Sequence, residues 1–207
     1  PEPSFRLDVG RFLPTPQASG TWAAGSLHGR AVVGVVGLEL ARQHGDPGML
    51  PVRLTADLYR MPPAVPFEIR TRRLRDGYSL RLAEAELIAE GKSCVRALLL
   101  FLRKGEAPAR PVWSRPAWDA PHPDTLPDAS TDWTLSGRWM IKPVAGFGGG
   151  LGPRRAWTRE TRELVGGIAH TPFSRVAAAV DLASPFSHSH GQGGLDYINT
   201  DITLYSY

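Results

Sequence analysis

The period of the hydrophobic pattern changes once near the start of this chain and again in its second half. From Ser26 to Arg42, Val32, Val33, Val36 and Leu40 recur at helical spacing, and Val35 and Leu38 carry apolar character round the back. Such a pattern predicts a helix covered on most sides. Ser26 is its expected N-cap, because a serine oxygen accepts from an amide of the first turn. Gly34 and Gly37 each cost about 1 kcal/mol against alanine in a helix. Their expected return is close approach, with a strand lying where no side chain stands. The valine-rich run also reads as a buried parallel strand, but it exceeds the roughly 4–8 residues of most strands.

Elsewhere the period is two. Phe5 to Leu13 reads as one strand, stopped by Pro14 and Pro16, and a loop with Gly20 and Trp22 leads into the helix. From Pro51 to Arg60, Val52, Leu54, Ala56 and Leu58 point one way and Arg53, Thr55, Asp57 and Tyr59 the other. Strands follow at Phe67 to Leu74, Tyr78 to Ala89 and Ser93 to Arg103, with turns at Asp76-Gly77 and Glu90-Gly91-Lys92. Prolines at 108, 111, 116, 121, 123 and 127 make residues 104–130 a linker. Its Trp113 and Trp118 are expected to lie against the protein surface.

The second half repeats the order. Strands are predicted at Trp133 to Val144 and Arg154 to Val165, joined by the glycine turn from Gly146 to Gly152. Thr171-Pro172 has the chemistry of a helix start, with Phe173, Val176, Ala177 and Val180 as the apolar stripe. A strand at Leu195 to Tyr205 follows the loop from Pro185 to Gly194. Aligned with the first half, Arg30 falls on Arg175 and Thr55 on Asp201. The expected architecture is α+β: residues 1–103 a curved antiparallel sheet around its helix, residues 104–130 a linker, and residues 131–207 an incomplete second copy.

Composition narrows the function classes. The 24 basic residues against 20 acidic ones, net +4, are spread over many strands without a dense Lys/Arg run, which argues against nucleic acid. One cysteine, Cys94, excludes an internal disulfide and fits a reducing compartment. No stretch approaches the roughly 18 apolar residues of a membrane helix. A soluble, cytoplasmic protein is expected.

Three stretches carry a resemblance: Leu27-His28-Gly29 at the helix start after Trp22, Arg81 to Phe101 in the hairpin, and Asn199-Thr200-Asp201-Ile202-Thr203-Leu204-Tyr205. With the duplicated order of elements, they resemble the double hotdog acyl-CoA thioesterases, in particular the branch of bacterial thioesterase II enzymes and their actinobacterial relatives. The resemblance implies an acyl-CoA or acyl-carrier thioester substrate, no cofactor or metal, no nucleic-acid or membrane partner, and a homo-oligomer. It also implies a catalytic aspartate on the strand after the second helix, which is Asp201 here. The family's hydroxyl residue and glutamine lie in strands beyond this one, so no residue of this chain inherits those roles, and further strands or another chain are expected to complete the sheet. Backbone amides near His28, Gly29 and Arg30 would hold the oxyanion, and Thr203 would hydrogen-bond the aspartate.

Each of these residues also has a plain reading. Asp201 suits the outer face of a strand, His28 a cap or loop, and Gly29 a turn. Asp181 reads as an exposed polar residue and Cys94 as an ordinary strand residue. Gly146 to Gly152 lacks the spacing of a dinucleotide fingerprint. His188-Ser189-His190 has no Cys, Asp or Glu at ligand spacing and reads as a solvated loop. No Gly-x-Ser-x-Gly elbow occurs. The competing functions are a non-catalytic acyl-thioester binding protein and a hotdog dehydratase or hydratase, for which His44-Gly45-Asp46 is a poor match.

Overall fold

The computed structural model describes residues 2–20, 22–106, 108–114, 116–127, 139–147, 154–187 and 198–206. Its chain begins with a hairpin, β1 (Phe5–Asp8) and β2 (Arg11–Pro14), where one strand was expected. Val9 (φ 44°) and Gly10 (φ 77°) both turn left-handed, the backbone of a two-residue hairpin. Helix α1 (Gly29–His44) follows, then β3 (Met49–Leu58), β4 (Phe67–Asp76), β5 (Leu80–Ala89) and β6 (Lys92–Arg103). The strands are antiparallel, in the order β1-β2-β4-β5-β6-β3.

Every residue of α1 from Arg30 to Leu40 is buried, as the all-round apolar pattern predicts. The sheet curves about the helix and turns Ala83, Ala85 and Leu87 of β5, and Val95, Ala97, Leu99 and Phe101 of β6, into the core. The outer face is polar: Arg72 and Arg96 flank the buried Glu84 carboxylate.

The second half contributes β7 (Trp139–Ala145), β8 (Arg155–Glu160), α2 (Pro172–Ala179), a single turn after it, α3 (Ala183–Ser187) and β9 (Asp201–Tyr205). β7 and β8 form a separate hairpin, while β9 pairs antiparallel with β3, so one seven-stranded sheet carries strands of both halves. Thr171 caps α2 in a reciprocal box: its hydroxyl accepts from the Ser174 amide at 3.1 Å, and the Ser174 hydroxyl accepts from the Thr171 amide at 2.9 Å.

One expectation needs correction. The glycines of α1 admit the second helix more than a strand. A Cβ on Gly34 would stand 2.9 Å from Leu164 Cδ2 and 3.0 Å from the Ala178 methyl; one on Gly37 would stand 3.1 Å from the Ala177 methyl and 3.4 Å from Leu54 of β3. The helix contacts relate the halves as a pseudo-twofold does: Gly29 against Asp181 and Gly37 against Phe173 exchange at the sequence offset that also links Gly34 with Ala178. Across the β3–β9 ladder Asp57 pairs with Asp201 and Thr55 with Thr203.

Between the halves, the described residues of 104–127 carry a single short helical turn, Pro123–Thr125. Trp118 lies on the protein, its ring 4.7 Å from Trp157, and the Trp157 indole donates to the Pro121 carbonyl. Trp113 does not; it is 81% exposed. The start of the strand expected at Trp133, most of the glycine turn and His188-Ser189-His190 lie outside the described residues.

Candidate functional site

The start of α1 is built by three loops. The Leu27 amide donates to the Pro62 carbonyl and the His28 amide to the Ala18 carbonyl, which fixes where the helix begins. His28, not Ser26, is the N-cap: its Nδ1 accepts from the Arg30 amide at 3.2 Å. Ser26 instead donates its hydroxyl to Ala23, within the preceding turn. Ala31 and Val32 turn their amides to the His28 carbonyl. Among the described residues, the Gly29 amide is left without a protein acceptor. It is the donor the helix start holds free, reinforced by the partial positive charge there.

The carboxylate that meets this helix start is Asp181, which the sequence reading placed on the surface. It comes from the turn after α2 and its side chain is only 13% exposed. Asp181 Oδ2 lies 3.4 Å from His28 Nδ1, and Oδ1 accepts from Asn199 Nδ2 at 2.9 Å. The Arg30 backbone amide also favours it. Burial alone would raise the Asp181 carboxyl, but His28, Asn199 and the Arg30 amide outweigh it and hold the group below the usual carboxylate range. A Cβ on Gly29 would fall 2.8 Å from Asp181 Oδ1, so the glycine makes room for the carboxylate. Trp139 closes one side, edge-to-face with His28 at 5.5 Å and beneath the Arg30 guanidinium at 5.3 Å.

The residues singled out from sequence separate into two groups. His28, Gly29 and Arg30 come together at the helix start, although the Arg30 side chain points inward and pairs with Glu160, both wholly buried. Asp201 and Thr203 stand on the exposed face of β9 opposite Asp57 and Thr55. The Asp201 carboxylate takes a 3.4 Å hydrogen bond from neighbouring Thr200. A signal for Asp181 was present in the sequence: Phe173, Ala177 and Asp181 follow at helical intervals of four, so the acid continues a buried stripe. Among the described residues no group of three His, Cys, Asp or Glu side chains is placed to hold a metal ion.

A helix wrapped by antiparallel strands, with a second helix packed against it, is the hotdog fold in duplicate. Residues 18–102 match the family model of the acyl-CoA thioesterase N-terminal domain. Solved structures share the fold across nearly the whole chain. A hotdog-fold protein from Alicyclobacillus acidocaldarius superposes with a TM-score of 0.71 at 17% identity, covering 97% of this chain and 75% of its own. The tesB protein of Mycobacterium avium subs paratuberculosis gives 0.65 at 17% identity, covering 98% and 76%. The acyl-CoA thioesterase II TesB2 of Mycobacterium marinum gives 0.51 at 20% identity, covering 84% and 62%. No curated protein matches the chain. Among the described residues no helix is long and apolar enough to cross a membrane.

Proposed function

We propose that this protein hydrolyses an acyl-CoA thioester at the start of α1. One observation carries the reading: an ionised, largely buried carboxylate, Asp181, stands beside the one first-turn amide, that of Gly29, which has no protein acceptor. The thioester carbonyl oxygen takes the Gly29 amide, which stabilises the negative charge that grows there during attack. Asn199 and the Arg30 amide leave the Asp181 carboxylate spare acceptor capacity for a water hydrogen. Water oxygen then bonds to the carbonyl carbon as Asp181 accepts its proton. The tetrahedral intermediate collapses, the carbon–sulfur bond breaks, and the proton passes to the departing thiolate. Asn199 holds the carboxylate in place, and His28 capping the helix keeps the first turn in register.

Release of free thiol from a panel of acyl-CoA thioesters tests this. Asp181→Asn keeps the shape and removes the base, so turnover should fall by about 10²–10⁴-fold with binding retained. Asp201→Asn, on the exposed face of β9, should leave turnover close to wild type. Loss of activity on changing Asp201 but not Asp181 would return the role to the strand aspartate. Binding of acyl-CoA without any thiol release would favour a non-catalytic carrier.

A further inference from the structure

Among the described residues, the largest fully buried side chain is a charged one, Arg30. Its guanidinium pairs with Glu160 at the end of β8 and donates to the Gln17 carbonyl at 2.8 Å, with Trp139 of β7 against its face. Glu160 also accepts from the Arg162 amide at 3.1 Å, and its own carbonyl takes Arg175 of α2 at 2.9 Å. The pair therefore joins the first turn of α1 in one half to β8 and α2 in the other. A buried ion pair is weak support for stability, since apolar residues of similar volume often serve as well or better. Its place is more telling: the residue that supplies the guanidinium is the residue whose backbone amide lies between His28 and Asp181.

We propose that Arg30 and Glu160 are positioning residues for hydrolysis, a clamp that holds the first turn of α1 against the second half and keeps the charge near Asp181 balanced. The inference rests on the reading of Asp181 as the water-orienting carboxylate. The groups facing Asp181 are His28 and the Arg30 amide at the start of α1, and Asn199 ahead of β9. On β7, Trp139 borders His28 and is uncharged. The Arg30 guanidinium pairs with Glu160 of β8.

Three variants of the full chain test the clamp: Glu160→Gln, Arg30→Gln, and the double variant Arg30→Met with Glu160→Leu. Glu160→Gln leaves a buried cation uncompensated beside the site, and Asp181 should titrate at lower pH. Arg30→Gln removes that cation, and Asp181 should titrate at higher pH. Both should lower kcat by about 10-fold or more with a smaller change in KM, as expected when orientation is lost without binding. The double variant carries no net charge, so it should fold and return the Asp181 titration toward wild type even if a single variant unfolds. The titration is followed on the Asp181 carboxyl carbon by NMR, which does not depend on activity. Displacement in opposite directions with recovery in the double variant supports the clamp. Displacement in one direction only, or none, with kcat falling only as melting temperature falls, overturns it. If wild type releases no thiol from any acyl-CoA, the thioesterase reading fails, while the titration still decides whether the pair governs Asp181.

Discussion

The two helices begin in opposite ways. At α2 the first turn is closed by its own residues, Thr171 and Ser174 capping each other and His170 bridging the Ser174 hydroxyl and the Arg162 carbonyl. At α1 the cap is a histidine, the Gly29 amide is unspent, and the carboxylate alongside comes from the other half. The pseudo-twofold makes the contrast direct. Gly29 against Asp181 in one copy corresponds, at the same sequence offset, to Phe173 against Gly37 in the other, where the added Cβ would meet the Phe173 ring at 3.6 Å. One position holds a carboxylate and a free donor; its mate holds a phenyl ring.

Four experiments sharpen this comparison. The largest effect is expected from filling Gly29. Gly29→Val sets a branched side chain against the Asp181 carboxylate, so hydrolysis should fall by at least the 10²-fold that misplacement of a reacting group can cost. A valine variant with wild-type kcat/KM would show that the carboxylate need not approach the helix start. Next comes the axis itself: Gly34→Val overpacks the contact with Leu164 and Ala178 and should lower unfolding stability by about 1–3 kcal/mol in denaturant titration. If it does not, the helices pack more loosely than the distances state. At the closed helix start, Thr171→Ala removes half of the capping box and should cost about 1 kcal/mol while sparing kcat. A selective loss of activity there would make the two helix starts functionally alike.

The smallest effect concerns acid. His44, at the far end of α1, is held below its usual range by burial and by Arg73 and Arg81, with Asp76 opposing. The fold therefore favours its neutral form. That contribution is complete above the unfolded value near 6.5 and declines as pH falls below it. Asp181 is depressed as well, so its contribution is complete above the unfolded value of 3.8 and is lost as pH falls through the folded one. Melting temperature should fall first below about pH 6.5 and again below about pH 4. His44→Leu should remove the first decline and Asp181→Asn should lessen the second, to which Asp76 and Glu84, held low by their arginines, also contribute. A melting profile flat from pH 7 to 5 in the wild type would contradict the His44 assignment.

Local physics made much of this protein legible from sequence. A valine-rich segment too long for a strand and apolar on every side had to be a helix covered all round, and α1 is buried from Arg30 to Leu40. Alternation at period two marked β3, because side chains on a pleated strand must divide between core and water, and turn residues bounded β5 and β6 to within a few residues. Thr171-Pro172 announced α2 through capping chemistry that needs only neighbouring residues. The hairpin at Val9-Gly10 was missed because the left-handed turn depends on a non-glycine residue adopting a backbone it seldom takes. Tertiary structure alone decided three things. It set the register of β9 on β3, since register belongs to a pair of strands and β9 shows its partner only when laid beside β3. It assigned the cap to His28 over Ser26, because the loops at Ala18 and Pro62 determine where the helix may start. And it brought Asp181 to Gly29 across the helix contact. The stripe of Phe173, Ala177 and Asp181 marks the acid as facing inward, but only the fold determines which groups stand opposite it and hold it ionised.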